Sequence, residues 1–293
     1  MESLVLVMNA IISGVILGSL YAVMSMGLTL IYGVGRLFNF AHGSFLIWGG
    51  YFTWLLYEKW HVNYFVSIIV SIAILFVLAF VIDKIMLFPL RKKPEYDYGI
   101  TGLLVTLGLA LAGSNAGDVI FGTRIKTIPK LADGVLKVGV FNIPYHDIAI
   151  LGSSIAILVL LELFLRKTTV GTALRAVSQD QVGAKVVGMD IDRLYRLTFA
   201  LSVVLAAISG ILLAPKLFIA PHVGWEALFK AVVIVIFGGL GSIKGTLISA
   251  FILGIIEAFV SMYLGMFYVQ PVWFILLVAV LYIRPRGLFG QWA

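Results

Sequence analysis

The stretch RLFNFAHGSFLIWGGYF, residues 36–52, places Arg36, Asn39, His42 and Ser44 between two long apolar runs. Upstream, residues 1–35 contain no Lys or Arg. Downstream, apolar sequence resumes at Phe45 and is broken by paired glycines. If the flanking runs lie in lipid, residues 38–44 are a polar turn between membrane helices. Irregular backbone at such depth is tolerated only where it is buried in protein or lines a cavity. The reading of this stretch therefore decides between a chain of simple spans and a polytopic bundle with re-entrant segments.

The whole chain supports the membrane reading. Its 293 residues are 61% hydrophobic and 12% charged, against about 45–50% apolar and about 25% charged in soluble domains. Runs near 20 apolar residues match the length a helix needs to cross hydrocarbon. They fall near residues 11–31, 45–57, 64–90, 99–121, 148–165, 194–219, 246–264 and 269–283. Residues 227–245 form a further, glycine-broken region. The expected fold is an all-α polytopic bundle of about eight spans, one transmembrane domain over residues 1–293, with glycine-broken or re-entrant segments.

Charge orients the bundle. The first span lacks the positive n-region of a secretory signal and is expected to be retained, with the N-terminus outside. Arg36, Arg91, Lys92, Lys93, Arg166, Lys167, Arg175, Lys185, Arg193, Arg196, Lys244, Arg284 and Arg286 fall on one side of the expected topology. Lys59, Arg124, Lys126, Lys130, Lys137, Lys216 and Lys230 fall on the other. The richer side is expected to be cytoplasmic, which places the C-terminus there. The net charge of +7 is accounted for by these flanks rather than by nucleic-acid binding. In the outer loop, residues 122–146, VLKVGVFNI alternates after Asp133-Gly134, and the pattern predicts a small extracellular β-hairpin.

Several chemistries are excluded. No cysteine is present, which removes disulfides and thiolate metal sites. GGLGSIKGT, residues 238–246, has Lys244 before Gly245 and does not match a P-loop. Neither HExxH nor GxSxG occurs, so no catalytic and no metal-binding residues are assigned. Two acids lie in apolar spans, where a charge at the helix centre costs about 2.5–3.5 kcal/mol. Glu162 stands four residues before Arg166 and is expected to pair with it. Glu257 has no cation near it in sequence. Together with Asn39, His42 and Ser44 it forms the candidate substrate pathway. For Asn39, capping of the next helix is the competing structural role. Gly14-x-x-x-Gly18 reads as a close helix contact.

The polar segment 168–193 contains GTALRAVSQDQVGAKVVGMDIDR. A helix capped by Thr172 and ended by Gly188 would offer a small-residue face of Ala176, Val177, Ala184 and Val187. Arg175, Gln179, Asp180 and Lys185 supply its polar side. Such a helix suits docking into a groove of another protein.

FNFAHG with its glycine-rich continuation, GTALRAVSQDQVGAKVVGMDIDR, FGGLGSIKGTLISAFILG (237–254) and the terminal RPRGLFG resemble the permeases of bacterial and archaeal ABC importers for branched-chain amino acids, the Liv H-type subunit. The resemblance covers nearly the whole chain. It implies a multi-pass permease of the cytoplasmic (inner) membrane, in contact with membrane lipid. It also implies a second homologous permease subunit, two ATPase subunits that carry the ATP, and an extracytoplasmic substrate-binding protein. Segment 168–193, with Arg175, Ala176, Gln179, Asp180, Ala184, Lys185 and Gly188, would then face the ATPase. Related permeases for urea or short amides share the FNFAHG style. Two rival functions use the same residues differently: an ion-coupled secondary transporter with Glu257 or His42 as its ion site, and an intramembrane enzyme.

Overall fold

A computed structural model describes residues 2–93, 97–138 and 141–290. The first helix, α1 (Glu2–Gly35), is 34 residues long and almost wholly buried beyond Ile16. It ends where Arg36 takes a left-handed conformation, φ 51°, and the chain then runs without regular structure into a turn at Phe40–Ala41. There α2 (His42–Trp54) begins, continuing as a π-helical turn over Leu55–Lys59.

Next come α3 (Tyr64–Ile82), a second π-helical turn (Asp83–Leu87) and α4 (Phe88–Arg91), which together form one 28-residue apolar rod. Asp97 caps α5 (Tyr98–Phe121) by accepting from the Gly99 and Ile100 amides. Outside the bundle, β1 (Val135–Val138) pairs antiparallel with β2 (Phe141–Pro144), Leu136 opposite Ile143. The expected hairpin is present. Asp133-Gly134 does not form its turn, because it precedes β1; the connection falls at residues 139–140, outside the described residues.

The remaining helices are α6 (Tyr145–Lys167), α7 (Thr169–Gln179), α8 (Gln181–Val186), α9 (Ile191–Leu213), α10 (Pro221–Gly238), α11 (Ile243–Tyr263) and α12 (Val269–Ile283). Among the described residues, eight helices are long and apolar enough to cross a membrane. The count matches the sequence expectation, but the membership differs. The glycine-broken region is a continuous helix, α10, as far as Gly238. Gly239 and Gly241, at φ 106° and 78°, confine the turn to the end of that helix.

The segment near residues 45–57 is the one left out of the eight, because its helix is short. It nevertheless runs parallel to α5 over a long distance. Leu37 lies against Gly102, the Phe40 amide donates to Thr106 Oγ1, Ser44 Oγ donates to the Ala110 carbonyl, and Trp48 Nε1 donates to that of Gly113. Residues 36–41 and α2 thus make one composite pass.

The core is built around α1 and α9. Helix α11 runs antiparallel to α1 at backbone contact. A Cβ on Gly14 would lie 2.6 Å from Ile255 Cα, and one on Gly18 would lie 2.8 Å from Phe251 Cα. Small residues permit this approach where lipid offers no hydrophobic drive for helices to associate. At the far end Gly33 meets Gly241, and Gly239 meets Gly290. The C-terminal segment folds back there, with the Leu288 amide on the Phe237 carbonyl at 2.9 Å. Glu2 and the segment 284–290 therefore lie at opposite ends of α1.

Candidate functional site

Besides the buried Thr29–Thr246 hydroxyl pair to α11, 2.6 Å apart, helix α1 holds polar ties at three further depths. Nearest its N-terminal half, Tyr21 Oη donates to Glu257 Oε2 at 2.9 Å, while Lys230 Nζ lies 2.7 Å from both Glu257 Oε1 and Tyr21 Oη. The ammonium also sits over the rings of Tyr21 and Trp273, 5.0 and 5.6 Å from their centroids. Glu257 does have its cation, supplied by α10. Lys230 is not in an outer loop, as the charge count expected, but inside the bundle, because α10 is an unbroken span. A cavity of about 30 Å³ beside it is lined by Tyr21, Ser209, Glu226 and Lys230.

One turn further along α1, the Met24 carbonyl faces His42 Nε2 at 2.9 Å, and Ser202 of α9 faces Nδ1 at 3.5 Å. His42 is fully buried. Gly27 leaves room for its ring, since a Cβ there would lie 2.8 Å from His42 Cε1. Asn39, also buried, folds the turn before α2 by accepting the Ala41 amide on Oδ1 at 3.1 Å. Its Nδ2 has no protein partner among the described residues. The cap at the start of α2 is Ala41, which offers no side-chain bond. Ser44 lines an apolar cleft of about 270 Å³ between α2, α3 and α5. The four pathway candidates therefore do not converge on one cavity: His42 and Glu257 each hold a neighbouring helix on α1, and Ser44 holds α2 on α5.

The third tie is at the C-terminal end of α1, where Gln181 Nε2 donates to the Val34 carbonyl at 2.8 Å. Gln181 begins α8, so the polar segment grips the end of the central helix. That segment is two helices rather than one. Thr168, not Thr172, caps α7 by accepting the Gly171 amide at 2.9 Å. Asp180 breaks the run and caps α8 by accepting the Val182 and Gly183 amides at 3.0 and 2.9 Å. Gly188 ends α8 in a left-handed conformation, φ 84°, with the Met189 amide returning to the Ala184 carbonyl, as glycine after a helix end allows.

The expected small-residue face turns inward except for Val187, which stands outside it. Val177 and Ala184 are buried with Met26, Leu30, Val34 and Leu165, and Ala176 is half-buried. Arg175, Gln179, Asp180, Lys185 and Gly188 are exposed, and so are Val182, Val186 and Val187 at 75, 81 and 73%. The outward surface is thus a valine tip ringed by polar groups.

Sequence reading gives no sign of a charged knot nearby. Asp83, fully buried at the π-helical turn, receives Arg91 in a two-pronged pair at 2.8 and 2.9 Å and Arg196 at 3.2 Å. Arg91 continues to Asp192 at 3.2 Å, and Lys92 closes on the same carboxylate at 2.7 Å. The knot joins α3, α4 and α9 beneath the stacked rings of Tyr98 and Tyr195. Asp83 and Arg91 stand eight residues apart, too far for a regular helical pair. Glu162 does pair with Arg166, as its spacing predicts. Asn115 on α5 is exposed within a span.

Residues 10–283 match the family described as branched-chain amino acid transport system / permease component. The chain is 30% identical to the high-affinity branched-chain amino acid transport system permease protein LivH of Escherichia coli (strain K12), over 99% of this chain and 97% of that one. It is 28% identical to the permease protein BraD of Pseudomonas aeruginosa, over 97% and 96%. Among solved structures, PsaBC from Streptococcus pneumoniae in complex with Fab shares the fold, with a TM-score of 0.50 at 14% identity over 95% of this chain and 92% of that one. The family match spans nearly the full length of the chain. The chain belongs to the permease components of branched-chain amino acid transport systems, the multi-pass membrane subunits of ABC importers, and is a transport subunit rather than an enzyme.

Proposed function

We propose that this permease moves branched-chain or other apolar amino acids into the cytoplasm, with its N-terminus outside and its C-terminus cytoplasmic. A second homologous permease completes the pathway, two ATPase subunits bind the ATP, and an extracytoplasmic binding protein delivers substrate. The charge distribution supports this orientation. The segment 168–193 then faces the ATPases, which meet the valine tip of α8 and the exposed Gln179, Asp180 and Lys185.

The observation that carries this reading is the bond from Gln181 to the end of α1. A displacement of α8 by the ATPases has a direct route into the spine of the bundle. Along that spine, Met24 holds His42 on α2, and Tyr21 holds Glu257 and Lys230 on α11 and α10. A packed interior transmits such a shift because it deforms little. Selection of substrate rests with the binding protein, so the pathway needs only weak contacts. The buried positions of Asn39, His42 and Glu257 suit a gate better than a tight binding site.

Reconstitution of the chain in liposomes with its second permease, ATPases and binding protein tests this. ATP-dependent accumulation of labelled leucine, isoleucine or valine is expected, with no uptake by the chain alone under an ion gradient. Uptake by the isolated chain would assign it to secondary transport instead. Accumulation of urea or short amides in place of the amino acids would reassign the substrate.

A further inference from the structure

Helices α6 and α11 both pack on α1 and leave between them a groove of about 540 Å³. Met26 of α1 lies in its floor, and Leu158, Val159, Leu247 and Phe251 form its walls. Along α6 the apolar side chains stand open, with Ile155, Val159 and Leu163 about half exposed. At one end the lining changes character and becomes Glu162, Arg166, Arg175 and Lys244. Glu162 is taken by Arg166. Among the described residues Arg175 reaches only the Thr172 hydroxyl, at 3.4 Å, and the exposed Lys244 has no protein partner. The groove is thus an apolar slot between spans, with two uncompensated cations at its mouth.

We propose that this groove binds an anionic phospholipid, with an acyl chain along α6 and α11 and the phosphate between Arg175 and Lys244. Basic pockets between transmembrane helices at the cytoplasmic side recruit such headgroups. Assignment to the cytoplasmic leaflet rests on the orientation proposed above; the site itself does not. A soluble subunit cannot enter a slot walled by spanning helices. A second copy docked across a two-fold axis would bring the same cations to face these. A zwitterionic lipid brings its own ammonium into competition with them. Because Arg175 belongs to α7, a bound headgroup would fasten the segment leading into α8 onto α6 and α11. Lipid composition would then tune the grip of α8 on α1.

Native mass spectrometry of the full chain, released from detergent with equal amounts of dioleoyl phosphatidylglycerol and dioleoyl phosphatidylcholine, tests the site. The wild type is expected to retain phosphatidylglycerol preferentially. Joint substitution Arg175→Gln and Lys244→Gln should weaken that retention about thirtyfold, from the loss of two near-surface cations. The conservative pair Arg175→Lys and Lys244→Arg should keep it. Leu247→Trp, which fills the slot, should reduce retention of both lipids, and free glycerol phosphate should displace neither. Undiminished preference in the double glutamine variant overturns the proposal. So does a two-chain species that excludes lipid and dissociates on Leu247→Trp, which would give the groove to a second copy. Lipid retention is read without transport, so its failure leaves the permease reading untouched.

Discussion

Gln181 Nε2 donates to the backbone carbonyl of Val34 at 2.8 Å across 147 residues of sequence. The last carbonyls of a helix have no partner within it, so this side chain supplies α1 with a bond its own geometry leaves open. It is also a cross-connection between the segment 168–193 and the central helix. Gln181→Ala should leave the bundle assembled, because the Leu174–Val177–Ala184 packing remains. Substrate-stimulated ATP hydrolysis in the reconstituted importer should fall about two- to tenfold, the worth of one hydrogen bond. Stimulation equal to wild type would remove this bond from the coupling route.

Asp180 has two separable properties, its charge and its cap. Asp180→Asn keeps an acceptor for the Val182 and Gly183 amides, whereas Asp180→Ala costs α8 about 1 kcal/mol. If the shape of the α7–α8 elbow matters, Asn should support uptake and Ala should not. If the charge meets the ATPase, Asp180→Asn combined with Lys185→Gln should uncouple hydrolysis from uptake. Uptake unchanged in both variants would refute a docking role for the elbow.

The Glu257–Lys230 pair lends itself to a double-mutant cycle. Glu257→Gln or Lys230→Met alone leaves a buried charge without its partner and should cost about 3–5 kcal/mol. The double substitution should recover most of that loss in thermal unfolding in detergent micelles. Two single changes that are as mild as the double one would mean that the pair is already solvated.

Gly43 answers the question posed by the glycines of residues 36–52. A Cβ there would collide with the Gly224 backbone of α10, so Gly43→Ala should destabilise the bundle by about 1–3 kcal/mol. Gly108→Ala, with nothing within 4 Å, should be silent in the same unfolding assay. Equal effects at the two positions would contradict the close approach of α2 and α10.

The local signals in the sequence read well. Glu162 and Arg166, Gly14 and Gly18, the alternation of the hairpin strands and Gly188 as a helix end all depend on patterns within a few residues. Asp180 is legible as a polar exposed group but not as a helix break, because a cap and an interior aspartate look alike until the backbone direction is known. Asn39 and His42 stand out as anomalies, yet the burial of His42 needs α9, whose Ser202 lies 160 residues further along the chain. Lys230 reads as an outer-loop residue because glycines 238–241 suggest a broken span, where they only turn its end.

By itself the sequence determined the solvent: lipid-length apolar runs and basic flanks fix a polytopic membrane bundle, since hydropathy and charge act residue by residue. Only the tertiary structure decided which polar groups meet. The partners of Glu257, Asp83 and Gln181 sit on other helices, and in a low-dielectric interior a polar group takes whichever partner helix packing brings within reach. Sequence distance carries no record of that packing.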